Sequence, residues 1–254
     1  MSNINIAVLN SSTVLKDDQI KPVVAALQKQ VHNDWAPVWG NDADLSFVPT
    51  GTQPAAGSWW LVILDDSDQA GALGYHDLTT EGLPLGKVFA NSDLTAGLQW
   101  SVTASHELLE MLGDPDINLS ALVQTDATQG GTLYAYEVCD ACEGDQFGYV
   151  IDGVTVSDFV HPTWFESFRS PGSVQFDQGK HITAPFQLLP GGYIGALDIA
   201  AGTGWHQLTA ESTGARYAMR PRVGSRRERR RTPRNHWFRS EPSGHGGVDA
   251  LRWR

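Results

Sequence analysis

The run Ser105-His106-Glu107-Leu108-Leu109-Glu110-Met111-Leu112-Gly113-Asp114-Pro115-Asp116 combines helical packing with metal-ligand chemistry in twelve residues. At about 100° per residue, Leu98, Val102, Leu108, Leu109 and Leu112 gather on one face of a helix. His106 and Glu110, four residues apart, stand side by side at the margin of that face, so both side chains reach one ion. Glu107 points about 100° further round, where it addresses a water held by the ion rather than the ion itself. Gly113 and Pro115 then end the helix.

Upstream, Ile4 to Leu9 reads as a short buried strand. Ile20, Val23, Val24, Leu27 and Val31 recur at helical spacing and predict an amphipathic helix from Gln19 that ends before Pro37. Leu45 to Val48 and Ser58 to Leu64 read as strands. The glycine-rich segment from Ala72 to Ala90 reads as an irregular edge strand, a loop and a further strand. A second helix, capped by Ser92 or Asp93, is expected to run unbroken to Gly113. Downstream, Leu133 to Val138 reads as a strand. Asp152-Gly153 between β-branched residues predicts a tight hairpin within 148–156. The fold class expected is therefore α/β (α+β): a mixed twisted sheet with an N-terminal helix and a site-bearing helix, then a loop- and strand-rich C-terminal part.

The motif resembles that of the zincin metallopeptidases, and among them the metzincin-like branch with its pattern His-Glu-x-x-His-x-x-Gly-x-x-His/Asp. On this chain the matching positions are His106, Glu107, Glu110 in place of the second His, Gly113 at the turn, and Asp116 in the third-ligand position. The likeness covers roughly residues 1 to 120, and the helix also resembles that of uncharacterised bacterial zincin-like proteins. What the resemblance implies is a zincin-like fold, an edge strand that pairs with an extended peptide, and a zinc-dependent peptidase. In that reading His106 and Glu110 are metal ligands and Glu107 is the general base that takes a proton from water and delivers it to the leaving amine. Glu137, 27 residues beyond Glu110, has the separation seen in the gluzincin branch and competes with Asp116 as third ligand, ahead of Asp114, Asp140 and Asp158. Two carboxylate ligands make a weaker Lewis acid than two imidazoles. Oxygen-rich ligation also brings Ca²⁺ or another divalent cation such as Mg²⁺ or Mn²⁺ into consideration beside Zn²⁺.

Charge divides the chain. Residues 1–215 hold six basic residues against 26 acids, a net of −20, whereas residues 216–254 hold twelve Arg against three acids, a net of +9. The expected organisation is an acidic body over 1–215, itself divided into 1–116 and 117–215, and a basic tail over 216–254. Arg226 to Arg231 with Trp237, Phe238 and Trp253 have the composition of a phosphate-binding, base-stacking tail, but the acidic body repels polyanions, so nucleic acid is not the expected partner. The tail is expected either to be solvated or to dock on the acidic surface of its own or a neighbouring copy. That gives the alternative to an enzyme: a catalytically silent scaffold acting by binding or self-assembly, against a peptidase whose partner is a peptide or protein substrate.

No stretch approaches the roughly 18–20 apolar residues of a membrane span, and the first residues lack a basic n-region. Cytoplasmic residence is the expectation, with export independent of a cleaved signal as the other route. Cys139 and Cys142 form one Cys-x-x-Cys pair, expected to be ordinary thiols, with a local disulfide or a supporting metal contact as alternatives. His76, on the edge strand, and His161 are expected to be exposed rather than functional. The acids of 65–68 and 140–145 are expected to be solvated loops, since neither matches a twelve-residue Ca²⁺ loop. Met219 is expected to be core rather than the methionine beneath a metzincin site.

Overall fold

A computed structural model describes residues 4–68, 72–124, 130–202 and 204–210. The basic tail and Met219 lie outside the described residues. The chain runs β1 (Ile4–Asn10), α1 (Asp17–Lys29), a π-helical turn (Gln30–Trp35), α2 (Ala36–Trp39), β2 (Ala43–Val48), β3 (Trp59–Leu64), β4 (Gly74–Leu78), β5 (Pro84–Phe89), α3 (Ala90–Ala96) and α4 (Trp100–Gly113). It continues through β6 (Ser120–Gln124), β7 (Gly131–Ala135), β8 (Tyr149–Ile151), β9 (Val154–Val156), β10 (Tyr193–Asp198) and β11 (His206–Thr209). The first part is a twisted mixed five-stranded sheet in the order β2-β1-β3-β5-β4. All its neighbours pair in parallel except the edge strand β4, which is antiparallel to β5. A four-stranded antiparallel sheet, β11-β10-β7-β6, and the β8–β9 hairpin follow.

Alternation along the central strands separates two faces. Ile6, Val8, Leu61, Ile63 and Val88 face α1 and α4 in one core that extends to Phe159, Trp164 and Ile194 in the later part of the chain. Ala7, Leu9, Val62, Leu64, Tyr75, Leu85 and Phe89 form a smaller cluster on the other face. Every residue of α4 from Ser101 to Leu112 is buried. Its polar residues therefore need partners inside the protein.

The structure differs from the sequence expectation at several joints. The helix expected to run unbroken to Gly113 is two helices, because Gly97 takes a left-handed conformation (φ 74°) that ends α3. The first helix ends before Pro37, but a π-helical turn and the short α2 carry the helical path past it. Pro37 lies in the first turn of α2, where its missing N–H costs no intrahelical bond, and Gly40 in a left-handed conformation closes the segment. The strand expected over 133–138 ends at Ala135, which frees 136–142 to turn toward α4. The hairpin forms on Asp152-Gly153, both at positive φ as its two-residue turn requires. Among the described residues no helix is long and apolar enough to cross a membrane.

Candidate metal centre

Polar contacts on both sides fix α4 against its neighbours. Ser105, next to His106, donates to Gln30 Oε1 at 2.6 Å and accepts from Ser157 N–H at 3.0 Å. Gln30 in turn donates to the Ser157 carbonyl at 2.9 Å. At the start of the helix the Asp145 carboxylate accepts from Gln99 N–H at 2.9 Å. At the end, Asn41 donates to the Leu112 carbonyl at 2.9 Å. Glycines allow the close approach of the sheet. A Cβ at Gly74 would meet Glu107 Oε1 and Thr103 Cγ2 at 2.7 Å, and one at Gly86 would stand 3.3 Å from Met111 Sδ.

On this frame six buried side chains from three segments converge: His76 from β4, His106, Glu107 and Glu110 from α4, and Glu137 and Asp140 from the chain after β7. His76 Nδ1 lies 3.1 Å from Glu110 Oε2 and 3.5 Å from Glu107 Oε2, while its Nε2 lies 3.7 Å from Glu137 Oε2. His106 Nε2 lies 3.3 Å from both Glu110 Oε1 and Asp140 Oδ1. The donor atoms of His76, Glu110 and Glu137 fall within 4.8 Å of one another, and so do those of His106, Glu110 and Asp140. Either trio could hold a divalent metal.

The electrostatics are those of a crowded anionic interior. Burial opposes a charged imidazole at His76, yet the facing carboxylates of Glu107 and Glu110 and the charge of Glu137 raise its pKa to about 9. His106 is likewise opposed by burial and raised well above the ordinary histidine value by Glu110 and Asp140. Burial would raise Glu110, but the two histidines hold it well below the usual carboxylate range. Glu107 Oε2 is buried without a hydrogen-bond partner, its 3.5 Å contact to His76 being an ion pair rather than a hydrogen bond. A buried carboxylate oxygen left in that state and a donor set of imidazole and carboxylate both fit a divalent cation.

Three of the ligands proposed from sequence, His106, Glu110 and Glu137, come together, with Glu107 beside them. Asp116 is exposed and belongs to neither trio. Asp114 is buried and accepts from the N–H groups of Asn118 and Leu119, so it shapes the turn after α4. Asp158 lies beside Asp177 and outside both trios. Asp140 enters as a ligand candidate, and its neighbours Cys139 and Cys142 are free, buried thiols whose pKa values burial raises well above the ordinary range. Of the other loop acids, Asp65 accepts hydrogen bonds from Ser12, Thr13 and Val14.

His76 is the residue that sequence reasoning missed, for it is buried at 3% exposure rather than solvated. Strand alternation carried the signal: Tyr75 belongs to the far-face cluster, so its neighbour His76, opposite Gly86, must face α4. His161, half-buried, hydrogen-bonds Gln178 at 3.3 Å, and burial lowers its pKa.

No family model, curated protein or solved structure matches this chain. The case for a function therefore rests on the site itself.

Proposed function

We propose that the protein is a zincin-like, metal-dependent peptidase whose metal ligands are drawn from His76, His106, Glu110, Glu137 and Asp140, with Glu107 as the general base. The observation that carries the reading is Glu107: a buried carboxylate on the ligand helix, next to His106 and about one turn before Glu110, with Oε2 lacking a hydrogen-bond donor. A divalent ion, Zn²⁺ by the imidazole content or Mn²⁺ by the carboxylate content, supplies Lewis acidity toward a peptide carbonyl and lowers the pKa of water. Glu107 Oε2 takes the proton of the attacking water as its oxygen bonds to the carbonyl carbon. It then passes that proton to the amide nitrogen as the C–N bond breaks. The outer edge of β4, the strand that carries His76, offers backbone groups to an extended peptide in the manner of an added strand. Four carboxylates around the site disfavour polyanionic substrates.

The test is hydrolysis of a mixed peptide library together with metal content of the purified full chain. Glu107→Gln is expected to retain metal and lose about 10²–10⁴ of the rate, while His106→Ala loses metal. Unchanged hydrolysis in Glu107→Gln, or no metal in the wild type, overturns the reading. The alternative, a silent scaffold assembled through its tail, draws on the split between the −20 body and the +9 tail. It is tested by light scattering with and without residues 216–254 in low and high salt, where a monomer throughout removes it.

A further inference from the structure

Glu110 is shared between the two trios, and it is shared oxygen by oxygen. Oε2 faces His76 at 3.1 Å and Oε1 faces His106 at 3.3 Å. Each histidine has, in addition, a carboxylate of its own: Glu137 beside His76 at 3.7 Å and Asp140 beside His106 at 3.3 Å. The result is two His–carboxylate pairs on either side of a central carboxylate. Within each trio every donor lies within 4.8 Å of the others, but the five residues do not form one such set. With metal–ligand bonds of about 2.0–2.2 Å, two ligands of one ion are at most about 4.4 Å apart. As the side chains stand, one ion cannot take all five.

Charge leads to the same count. Glu107, Glu110, Glu137 and Asp140 bring four formal negative charges into a region where each residue is about nineteen-twentieths buried. Imidazoles that ligate a metal are neutral, so one divalent ion balances half of the four formal charges and two ions balance all of them. The body's few cations are engaged elsewhere in part: Lys87 pairs with Asp68, Lys29 with Asp152 and Arg169 with Glu166. Glu107 Oε2, buried and without a donor on the His76 side, is an independent sign that positive charge belongs there.

We infer that the site is a carboxylate-bridged dinuclear centre, with one divalent transition ion held by His76, Glu137 and Glu110, a second by His106, Asp140 and the other oxygen of Glu110, and Glu107 adjoining the first. The inference rests on the metal-site reading above and deepens it: two ions, not one, would address the substrate carbonyl and the water. Glu110 is then a bridging ligand rather than a substitute for the second histidine of a single-ion helix, which explains why a carboxylate stands at that position.

The experiment is Mn²⁺ titration of the metal-stripped full chain, read as tightly bound Mn²⁺ per chain after gel filtration and as electron paramagnetic resonance of the loaded protein. Two ions per chain with an exchange-coupled spectrum are expected. Glu137→Gln and Asp140→Asn, near-isosteric and on opposite sides of Glu110, should each lower the count by one and abolish the coupling while circular dichroism stays that of the wild type. One ion per chain, or two ions without coupling, overturns the dinuclear centre and leaves a single-metal peptidase standing. No tightly bound ion overturns both. If either variant misfolds, the other still decides, because each removes a different half of the site.

Discussion

The two faces of the β4–β5 ribbon hold buried charge in opposite ways. On the far face Lys87, in register with Tyr75, reaches the Asp68 carboxylate at 2.7 Å, and the Tyr75 hydroxyl donates to the same oxygen at 2.8 Å. One cation and one anion, with an aromatic ring 5.4 Å from the ammonium, make a charge-balanced pair, in which the second Asp68 oxygen, Oδ1, is buried without a hydrogen-bond partner. On the near face, one residue along each strand, His76 lies opposite Gly86 and joins three other segment-distant carboxylates plus Glu107 around two histidines. That group is not neutral by itself. The same ribbon thus carries a structural ion pair on one side and, on the other, a set of candidate ligands whose charge suits an external cation.

The comparison breaks first at Lys87. Lys87→Met removes the ammonium paired with Asp68 and leaves that carboxylate buried with the Tyr75 hydroxyl, so urea denaturation should show a loss of about 3–5 kcal/mol. Metal content should not change, because Asp68 belongs to neither trio. A Lys87 variant that loses metal instead would mean that the two faces are one electrostatic unit and that the contrast between them is false.

A smaller effect is expected at the boundary between them. Gly74 opens β4, and an added Cβ would stand 2.7 Å from Glu107 Oε1 and Thr103 Cγ2. Gly74→Ala should lower the melting midpoint by the equivalent of about 1–3 kcal/mol through overpacking and slow peptide hydrolysis with metal retained, since Glu107 must move while the trios need not. Wild-type stability and rate in this variant would show that Glu107 is not held where its proposed role as base requires.

Much of this was legible in the chain before any coordinates. The apolar run of β3, the helical spacing of α1, the Asp152-Gly153 turn and the His106-Glu107-Glu110 register each depend on a few neighbouring residues, and local patterns carry such information. The break at Gly97 was not legible, because a glycine inside a helical pattern is tolerated or not according to what packs on either side. Here Asp93 accepts from Thr103 Oγ1 across the break at 2.9 Å, holding α3 and α4 as separate helices. The ligand partners from outside the helix were harder still. Glu137 and Asp140 reach the site only because β7 stops at Ala135, and His76 is buried only because α4 lies across the edge strand. Asp116 matched a family spacing, yet the turn that Asp114 stabilises leaves it on the surface. Spacing along a chain predicts contacts within one helix well and contacts across loops poorly.

A third kind of buried acid gives the finest distinction. Asp158 accepts from Phe159 and Gly179 N–H groups through Oδ1, at 2.8 Å each, while its Oδ2 is buried without a donor. Beside it Asp177 accepts from His181 and Ile182 N–H groups. Burial and the adjacent Asp177 carboxyl push the Asp158 pKa from 3.8 up to about 8, so a proton shared by the pair supplies the missing donor. Here the compensating charge is neither a lysine nor a metal but a proton, so the pair responds directly to pH. The folded carboxyl keeps its proton to about pH 8, whereas an unfolded aspartate releases it near 4. Folding therefore takes up a proton between those values, and the stability this pair contributes, complete at acid pH, falls as pH rises through the window. One linked proton gives a slope of at most about 1.4 kcal/mol per pH unit. Melting midpoints of the metal-stripped protein from pH 4 to 9 should decline more steeply in the wild type than in Asp158→Asn, whose amide donates a hydrogen at every pH. Parallel profiles would mean that Asp158 is ionised in the folded state and that its loop, like the trios, draws its positive charge from elsewhere.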